Sequence, residues 1–221
     1  MNTSIFQVAG PVMIGPSSSH TAGAAKIGRI ARQIVNGDFE RVTFGLYGSF
    51  EKTGKGHGTD KALLAGVLGI REDDEDISRS FELAGQAQIE FEFYPVELDG
   101  AHENSVLITF FKEGQVKTTV QGASIGGGNV RIVKIDGYEI GISGQLPTIF
   151  VKQNDQKGVI SHVATVLADS DINIATMKVS RMQKKQDAIC VIEIDDSIDE
   201  TILQKLKEHP YIQIVRFIAC A

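Results

Sequence analysis

The sequence predicts an α/β (α+β) protein of two domains, and three observations support this fold class. Apolar residues recur at helical spacing in the first third of the chain, which indicates amphipathic helices. From Gln88 onward the apolar period becomes two, which is typical of half-buried strands. After a glycine-rich stretch that ends at Pro147, the pattern restarts in the order βαββαβ. We therefore expect one domain over 1–144 and a second over 148–221.

The N-terminal domain is expected to place most of its helices before most of its strands. Segments 21–35 and 60–69 predict two helices, and an acidic stretch introduces a third helix that turns Ile77 and Phe81 inward. Strands are predicted over 41–48, 88–98, 104–111, 115–122 and 129–140, with a tight hairpin at Asp136-Gly137. The first of these strands is expected to run into a glycine-rich loop.

The C-terminal domain is expected to have a ferredoxin-like βαββαβ fold, with two helices on one face of an antiparallel four-stranded sheet. Its predicted strands are 148–154, 172–182, 187–195 and 212–219, and its predicted helices are 158–170 and 199–209.

Composition excludes several classes of function. The net charge is -6 with mixed signs, so the chain lacks the basic stripe that nucleic-acid binding requires. No apolar run approaches the roughly 20 residues that span a membrane, and the first residues lack the regions of a signal peptide. We therefore expect a cytoplasmic protein that binds neither nucleic acid nor membrane. The two cysteines, Cys190 and Cys220, are expected to be free thiols, too few for a four-thiolate cluster.

The segment GPSSSHTAG, Gly15 to Gly23, is the first candidate functional motif. It places polar side chains at or just before the start of a helix, namely Ser17, Ser18, Ser19, His20 and Thr21. Free backbone N–H groups and the helix dipole favour an anion there, so a substrate carboxylate fits. His20 offers proton transfer near neutral pH. The alternative is that the serines only cap the helix and His20 is a solvated loop residue.

The segment TGKGHGTD, Thr53 to Asp60, is the second candidate motif. Its glycines, at positions 54, 56 and 58, are expected to adopt positive φ and let the backbone approach a ligand. Its polar side chains, Lys55, His57, Thr59 and Asp60, offer charge, proton transfer and hydrogen bonds. The spacing matches neither a P-loop nor a dinucleotide-binding fingerprint. The alternative is a flexible glycine turn before a helix.

Two further segments offer secondary candidates. His102 and Asn104 are expected in a loop between strands, where functional groups often gather. In SIGGGN, Ser124 and the backbone N–H groups that follow, including those of Gly126 and Gly127, would form an anion-binding nest. The alternative for this last segment is a bulge or tight bend ahead of a strand.

These motifs carry a resemblance to a known family. GPSSSHTAG and GSFEKTGKGHGTDKALLAG resemble the paired signature segments of bacterial iron-sulfur-dependent L-serine dehydratases, and AHENS and SIGGGN fall at that family's other turns. Where the family has HPN, this chain has His102-Glu103-Asn104, which keeps the imidazole and the amide but replaces the rigid proline. The C-terminal part resembles ACT domains. Chain length and order resemble the separate beta subunit of the two-chain form of the enzyme.

The resemblance implies an allosteric-substrate-binding-like serine dehydratase beta domain that acts in β-elimination of L-serine to pyruvate and ammonia. It implies a 4Fe-4S cluster that is ligated by a partner alpha subunit, with no metal ligand from this chain, which alone is expected to be inactive. The expected catalytic residues are His20, Lys55 and His57. The expected substrate-binding residues are Ser17, Ser18, Ser19, Thr21, Thr59, Asp60, His102, Asn104, Ser124, Gly126 and Gly127.

For the C-terminal part, the resemblance implies a homodimer formed through the ACT domain and an amino-acid effector site. The expected contacts are Asn154, Asp155, Gly158, Val159 and Ile160, together with Asn173 and Ile174 of a neighbouring copy. A second hypothesis comes from a similarity to the allosteric domain of some phosphoglycerate dehydrogenases. In that hypothesis the chain is a regulatory subunit that senses serine without touching the reacting substrate.

Overall fold

The computed structural model describes residues 12–220, and the chain divides into two compact units, Met1–Asp136 and Gly137–Ala221. Strand Tyr138–Ile142, which we assigned to the first domain, groups with the second unit. The domain limits at 144 and 148 stay predictions. No helix in the described part of the chain is long and apolar enough to cross a membrane.

The first unit begins with helices, as predicted. A π-helical turn, Ser18–Gly23, continues directly into helix α1, Ala24–Val35. The other helices are α2 (Ser49–His57), α3 (Thr59–Val67), a 3₁₀ turn (Glu75–Arg79) and α4 (Ser80–Gln86).

The strands of the first unit lie in the order β2-β1-β3-β4-β5. Their bounds are β1 Arg41–Gly48, β2 Glu90–Pro95, β3 Asn104–Lys112, β4 Gln115–Gly126 and β5 Asn129–Ile135. Strand β1 pairs in parallel with β2, and the remaining neighbours are antiparallel. The register places Gly48 opposite Asn104, so the end of β1 meets the start of β3. This edge of the sheet carries the candidate site.

Helix α1 packs on the sheet and against α3, and this packing fixes the two signature segments relative to each other. The apolar face of α1, with Ile27, Ile30 and Ile34, is fully buried. A Cβ at Gly28 would lie 2.5 Å from the carbonyl oxygen of Leu63, so the two helices approach closely only because residue 28 has no side chain.

Two expectations for the first unit are wrong. The segment after β1 is a helix, α2, and only Gly58 of the three glycines in TGKGHGTD has a positive φ, +68°. Gly54 is buried in that helix against Thr59, which explains how a weak helix former fits there. Phe81 is 36% exposed, because α4 turns Ser80 and Ala84 toward the core instead.

The second unit has the predicted βαββαβ order, preceded by β6, Tyr138–Ile142. Its sheet has the strand order β10-β7-β9-β8, with antiparallel neighbours. Val159 and Val163 from the first helix and Leu206 from the second are buried in its core. The element bounds are β7 Thr148–Asn154, α5 Val159–Asp169, β8 Ile174–Arg181, β9 Asp187–Ile194, α6 Glu200–Lys207 and β10 Ile212–Ile218.

Candidate active site

His20 is held by the π-helical turn that precedes α1. The side chain of Ser17 caps this turn by accepting a hydrogen bond from the backbone N–H of His20 at 3.1 Å, and Thr21 N donates to Ser17 O at 2.9 Å. Serine capping is therefore present, but the same turn also fixes the imidazole. π-helical turns are rare and are frequent at functional sites.

Helix α2 presents a row of polar groups to His20. Ser49, Thr53 and His57 are spaced four residues apart, so they share one face of the helix. The Nε2 atom of His20 lies 3.1 Å from Ser49 Oγ and 3.1 Å from Thr53 Oγ1. These four residues, His20, Ser49, Thr53 and His57, are referred to below as the histidine cluster.

The hydrogen bonds of the cluster assign a proton to each imidazole. Thr53 Oγ1 has one proton, and when it donates that proton to the carbonyl oxygen of Ser49 at 2.9 Å it accepts from His20 Nε2–H. His57 Nδ1 lies 3.0 Å from the carbonyl oxygen of Thr53, which accepts and never donates. In its neutral form His57 therefore carries its proton on Nδ1 and a lone pair on Nε2.

The two imidazoles also interact with each other. Their ring centroids are 4.8 Å apart, and the ring of Phe50 lies edge-on to His20 at 5.3 Å. Burial lowers the pKa of His20 below its ordinary value, a hydrogen bond to the backbone of Ser49 opposes that change, and the charge of a protonated His57 lowers the pKa further. His20 therefore stays neutral to a lower pH than a free imidazole.

Asn104 and Ser124 lie at the same edge of the sheet. Asn104 is at the start of β3, and its Nδ2 donates to the carbonyl oxygen of Ser124 at 3.5 Å, while its Oδ1 is buried with no hydrogen-bond partner among residues 12–220. Ser124 is fully buried against the π-helical turn, where a side chain at Gly23 would collide with its hydroxyl. Thr21 joins the turn to α2 by donating to the carbonyl oxygen of His57 at 3.2 Å.

Three predicted site residues are not brought to the histidine cluster. Lys55 lies two residues from both Thr53 and His57, which places it about 200° around the helix axis from either of them. Lys55 and Asp60 line a separate cavity on that other side of α2. Thr59 is fully buried beside Gly54, and its hydroxyl has no hydrogen-bond partner in the described part of the chain.

The secondary candidates separate into two groups. His102 is exposed and accepts a hydrogen bond from the backbone N–H of Asn104 at 3.1 Å, so it supports the turn before β3. Gly126, with φ of +102°, is the last residue of β4, and Gly127, with φ of +60°, begins the tight turn to β5. The hydroxyl of Ser124 lies against Gly23 instead of this turn, so the two halves of the expected anion nest are not assembled.

The side chains of residues 12–220 do not form a site that fits a metal cluster. Within residues 12–220, no group of three or more His, Cys, Asp or Glu side chains could hold a metal ion. Both cysteines belong to the second unit. Burial raises the pKa of the Cys190 thiol to about 12, so it remains protonated, and Cys220 is exposed by itself near the end of the chain.

Two of the expected effector residues, Asn154 and Asp155, already use their side chains in hydrogen bonds within the second unit. Asn154 Oδ1 accepts from Gln213 Nε2 at 2.5 Å, and Asp155 Oδ2 accepts from Arg181 and from the backbone N–H of Lys185. These two bonds, with the Lys185 N–H first, lower the pKa of Asp155.

The other expected effector contacts lie at the two ends of the sheet. Gly158, with φ of +92°, precedes α5, whose first residues are the buried Val159 and the half-buried Ile160. Asn173 and Ile174 lie at the opposite end of the sheet within one chain, since Ile174 pairs with Ile194 whereas Asn154 pairs with Asp187. The expectation that the last two come from a neighbouring copy is compatible with this separation.

Ser49 and Thr53 are the functional candidates that the sequence analysis missed. Their signal was the four-residue spacing Ser49-Thr53-His57, which has meaning only if the segment is helical. The glycines at positions 54 and 56 favoured a loop and concealed that spacing.

Comparison with known proteins identifies related families and relatives. A family model described as "Serine dehydratase beta chain" matches residues 4–134, and one described as "ACT domain" matches residues 147–210. The chain is 44% identical to the "Probable L-serine dehydratase, beta chain" of Bacillus subtilis (strain 168), over 98% of each chain.

Two other relatives, a second dehydratase chain and a dehydrogenase, differ in how much of their length the similarity covers. The chain is also 44% identical to the "L-serine dehydratase, beta chain" of Peptoniphilus asaccharolyticus, over 90% of each chain. It is 29% identical to a D-3-phosphoglycerate dehydrogenase of Bacillus subtilis, over 88% of this chain but 37% of that protein. Among these relatives, the similarity is stronger to the dehydratase chains, which it covers nearly end to end.

Proposed function

Since the chain belongs to the serine dehydratase beta chain family, we propose that it completes the active site of an L-serine dehydratase, which converts L-serine to pyruvate and ammonia. The comparisons favour this role over the hypothesis of a regulatory subunit that only senses serine. The reaction removes the Cα proton and the β-hydroxyl to give an enamine, which hydrolyses. A weakly acidic C–H requires a well-placed base.

His57 is proposed as that base, and one observation carries the assignment. Its Nδ1–H is held by the carbonyl oxygen of Thr53, which leaves the Nε2 lone pair to accept a proton. In residues 12–220 this Nε2 makes no hydrogen bond that would compete with a substrate.

His20 is proposed as the neighbouring proton-transfer group. Burial lowers the pKa of His20 and so favours its neutral form. Before the reaction, protonation of His57 is therefore not opposed by a positive charge on the neighbouring ring, 4.8 Å away. Once His57 has taken the Cα proton, the two rings share a site in which a second proton is unfavourable. The pair is therefore suited to releasing that proton again at the end of a turnover.

The substrate carboxylate is proposed to bind at the start of the π-helical turn. Ser18 and Ser19 are the first residues of a continuous helical segment, and their backbone N–H groups have no acceptor within it. Such N–H groups and the dipole of the helix favour an anion. The unpartnered Oδ1 of Asn104 is an acceptor that suits the ammonium group of the same substrate.

The 4Fe-4S cluster that the family implies is proposed to be held by a partner alpha subunit. This chain has two cysteines, and neither lies in the first unit, so it cannot supply a cluster site at the histidine cluster. The second unit is proposed to form a homodimer, with the effector contacts of Asn154, Asp155, Gly158, Val159 and Ile160 facing Asn173 and Ile174 of the other copy.

Reconstitution with an alpha subunit under anaerobic conditions tests the proposal. We expect His57→Gln to lower kcat for L-serine by about 10²- to 10⁴-fold, because a positioned general base contributes that much. The matched control is His209→Gln, which replaces a partly buried histidine of the second unit. The control should retain the wild-type rate.

Two results would contradict the proposal. One is wild-type turnover by the His57→Gln complex, which would show that the base lies elsewhere. The other is turnover of L-serine by this chain alone, because the chain would then need no partner. Circular dichroism of the variant distinguishes a lost base from a lost fold.

A further inference from the structure

A cavity lies within the first unit, on the side of α2 that faces away from the histidine cluster. Its volume is about 460 Å³, within the range of about 300 to 1,000 Å³ that is usual for small-molecule sites. Strands β1 and β2 form its base, and α2, the start of α3 and α4 form its walls.

Aromatic rings make up much of the lining of this cavity. Phe81 lies 5.0 Å from Phe91, and Phe91 lies 6.1 Å from Phe93, measured between ring centroids. Phe93 is stacked at 4.6 Å on the buried Phe44, which fixes its position from below. Phe81 remains 36% exposed. The rings thus present a preformed apolar surface to solvent.

The cavity also carries three charged side chains, and two of them have no partner among residues 12–220. Glu51 and Lys55 stand one helical turn apart on α2, a spacing at which opposite charges usually pair. In the described part of the chain, neither side chain makes an ion pair or a hydrogen bond with another residue. Asp60, the third charged group, uses one carboxylate oxygen to accept from the backbone N–H of Lys61 at 2.8 Å.

We propose that this cavity binds a free α-amino acid with a large apolar side chain. Lys55 pairs with the carboxylate of the ligand, and Glu51 and Asp60 pair with its ammonium group. The apolar side chain of the ligand lies on the rings of Phe81 and Phe91, where it gains the free energy of burial.

The combination of groups selects this ligand class over its neighbours. Serine would bury its hydroxyl against aromatic rings without a hydrogen-bond partner, which costs free energy. An amine without a carboxylate would leave Lys55 unpaired beside a like charge. An acid without an ammonium group would leave the carboxylates of Glu51 and Asp60 unpaired and would bring a further negative charge close to them.

This inference reassigns Lys55 and Asp60 from the serine site to a separate site, and it does not depend on the catalytic role of His57. The two sites share one wall, because Phe50 lines the cavity and its ring also contacts His20 at 5.3 Å. A ligand in the cavity is therefore one side chain away from the histidine cluster.

Calorimetry and NMR on the full chain test the proposal with L-phenylalanine as the probe. We expect L-phenylalanine to bind at least about tenfold more tightly than L-serine, 3-phenylpropionate or phenethylamine, because each of these lacks one of the three matching groups. The NMR shifts caused by L-phenylalanine should fall on Phe50, Phe81, Phe91 and Phe93.

Matched variants locate the site. Lys55→Met should weaken L-phenylalanine binding by about tenfold, the usual scale for one lost charge-assisted hydrogen bond. Lys52→Met is the control, because Lys52 is also exposed on α2 but does not line the cavity. Phe81→Ala, at a partly exposed position that should not disturb folding, should weaken binding as well.

Four results would overturn the proposal. The first is equal affinity for L-phenylalanine and L-serine, and the second is equal loss of affinity in Lys55→Met and Lys52→Met. The third is a pattern of shifts confined to the second unit, around Val159 and Ile160, which would place the ligand there. If the cavity resonances respond to protein concentration but not to L-phenylalanine, a second copy of the chain occupies the surface and the proposal is wrong.

Discussion

The histidine cluster of the first unit and the loop before α5 in the second unit use their polar groups in opposite ways. At the cluster, His57 Nε2 and the buried Oδ1 of Asn104 have no hydrogen-bond partner among residues 12–220. In the loop, the side chain of Asn154 is bonded to Gln213, and that of Asp155 to Arg181.

This difference separates two kinds of binding site. A buried polar group without a partner costs free energy unless a ligand completes it, so the Oδ1 of Asn104 supports a substrate site at this end of the sheet. The Nε2 of His57, which is only partly buried, is open to a substrate. The side chains of the loop already stabilise its conformation. An effector that binds before α5 would therefore be recognised mainly by the backbone N–H groups that follow Gly158.

The largest expected effect comes from removing both imidazoles of the cluster. Separately, His20→Ala and His57→Gln should each lower kcat/KM of the reconstituted enzyme by about 10²- to 10⁴-fold. The double variant should be little worse than the more impaired single variant, because residues that act as a unit are not additive. Effects that multiply in the double variant would show that the two histidines act independently.

The next effect tests the packing that holds the π-helical turn in place. Gly23→Ala should destabilise the first unit by about 1 to 3 kcal/mol, because the new methyl group collides with the buried Ser124. Gly56→Ala is the control, since no atom lies within 4 Å of a Cβ built there. That change should stabilise α2 by about 0.5 to 1 kcal/mol. Urea denaturation measures both, and equal effects would contradict the packing described.

A smaller effect is expected from the hydroxyl that orients His20. Thr53→Val removes one of the two hydroxyl groups that lie 3.1 Å from His20 Nε2 and should lower kcat/KM by about tenfold, with little change in KM. Thr53→Ser retains the hydroxyl and should restore most of the rate. If the serine variant is as slow as the valine variant, the hydroxyl does not position His20.

The smallest effect is expected in the second unit. Asn154→Ala removes an exposed hydrogen bond to Gln213 and should cost less than about 1 kcal/mol of folding stability. The reconstituted enzyme should keep its kcat/KM for L-serine. A loss of activity comparable to that of the cluster variants would show that the loop before α5 also serves catalysis, which would contradict the difference between the two regions.

The sequence predicted the elements whose periodicity is strong. Strands β4 and β5 alternate buried residues with more exposed ones over much of their length, and the order βαββαβ after Pro147 is confirmed throughout. Pairing His20 with His57 was also predictable, because two polar segments near the starts of neighbouring helices meet when those helices pack together. The resemblance to a known family strengthened that prediction.

The remainder depended on tertiary contacts that local patterns do not encode. Helix α2 forms although Gly54 and Gly56 are weak helix formers, because Phe50 and Gly54 are buried on its inner face. Once α2 is helical, its rotation decides that Thr53 faces His20 and that Lys55 faces the aromatic cavity. A loop, as predicted, would have left both orientations open.

The central claim is that His20 and His57 form one interacting pair, and NMR titration of the imidazoles in this chain tests it most directly. His20 should titrate below its ordinary pKa, and His57→Gln should raise that pKa because a charge that opposes protonation is lost. Resonances are assigned by replacing each histidine in turn. Independent titration of the two histidines, unchanged in each other's absence, would contradict the account.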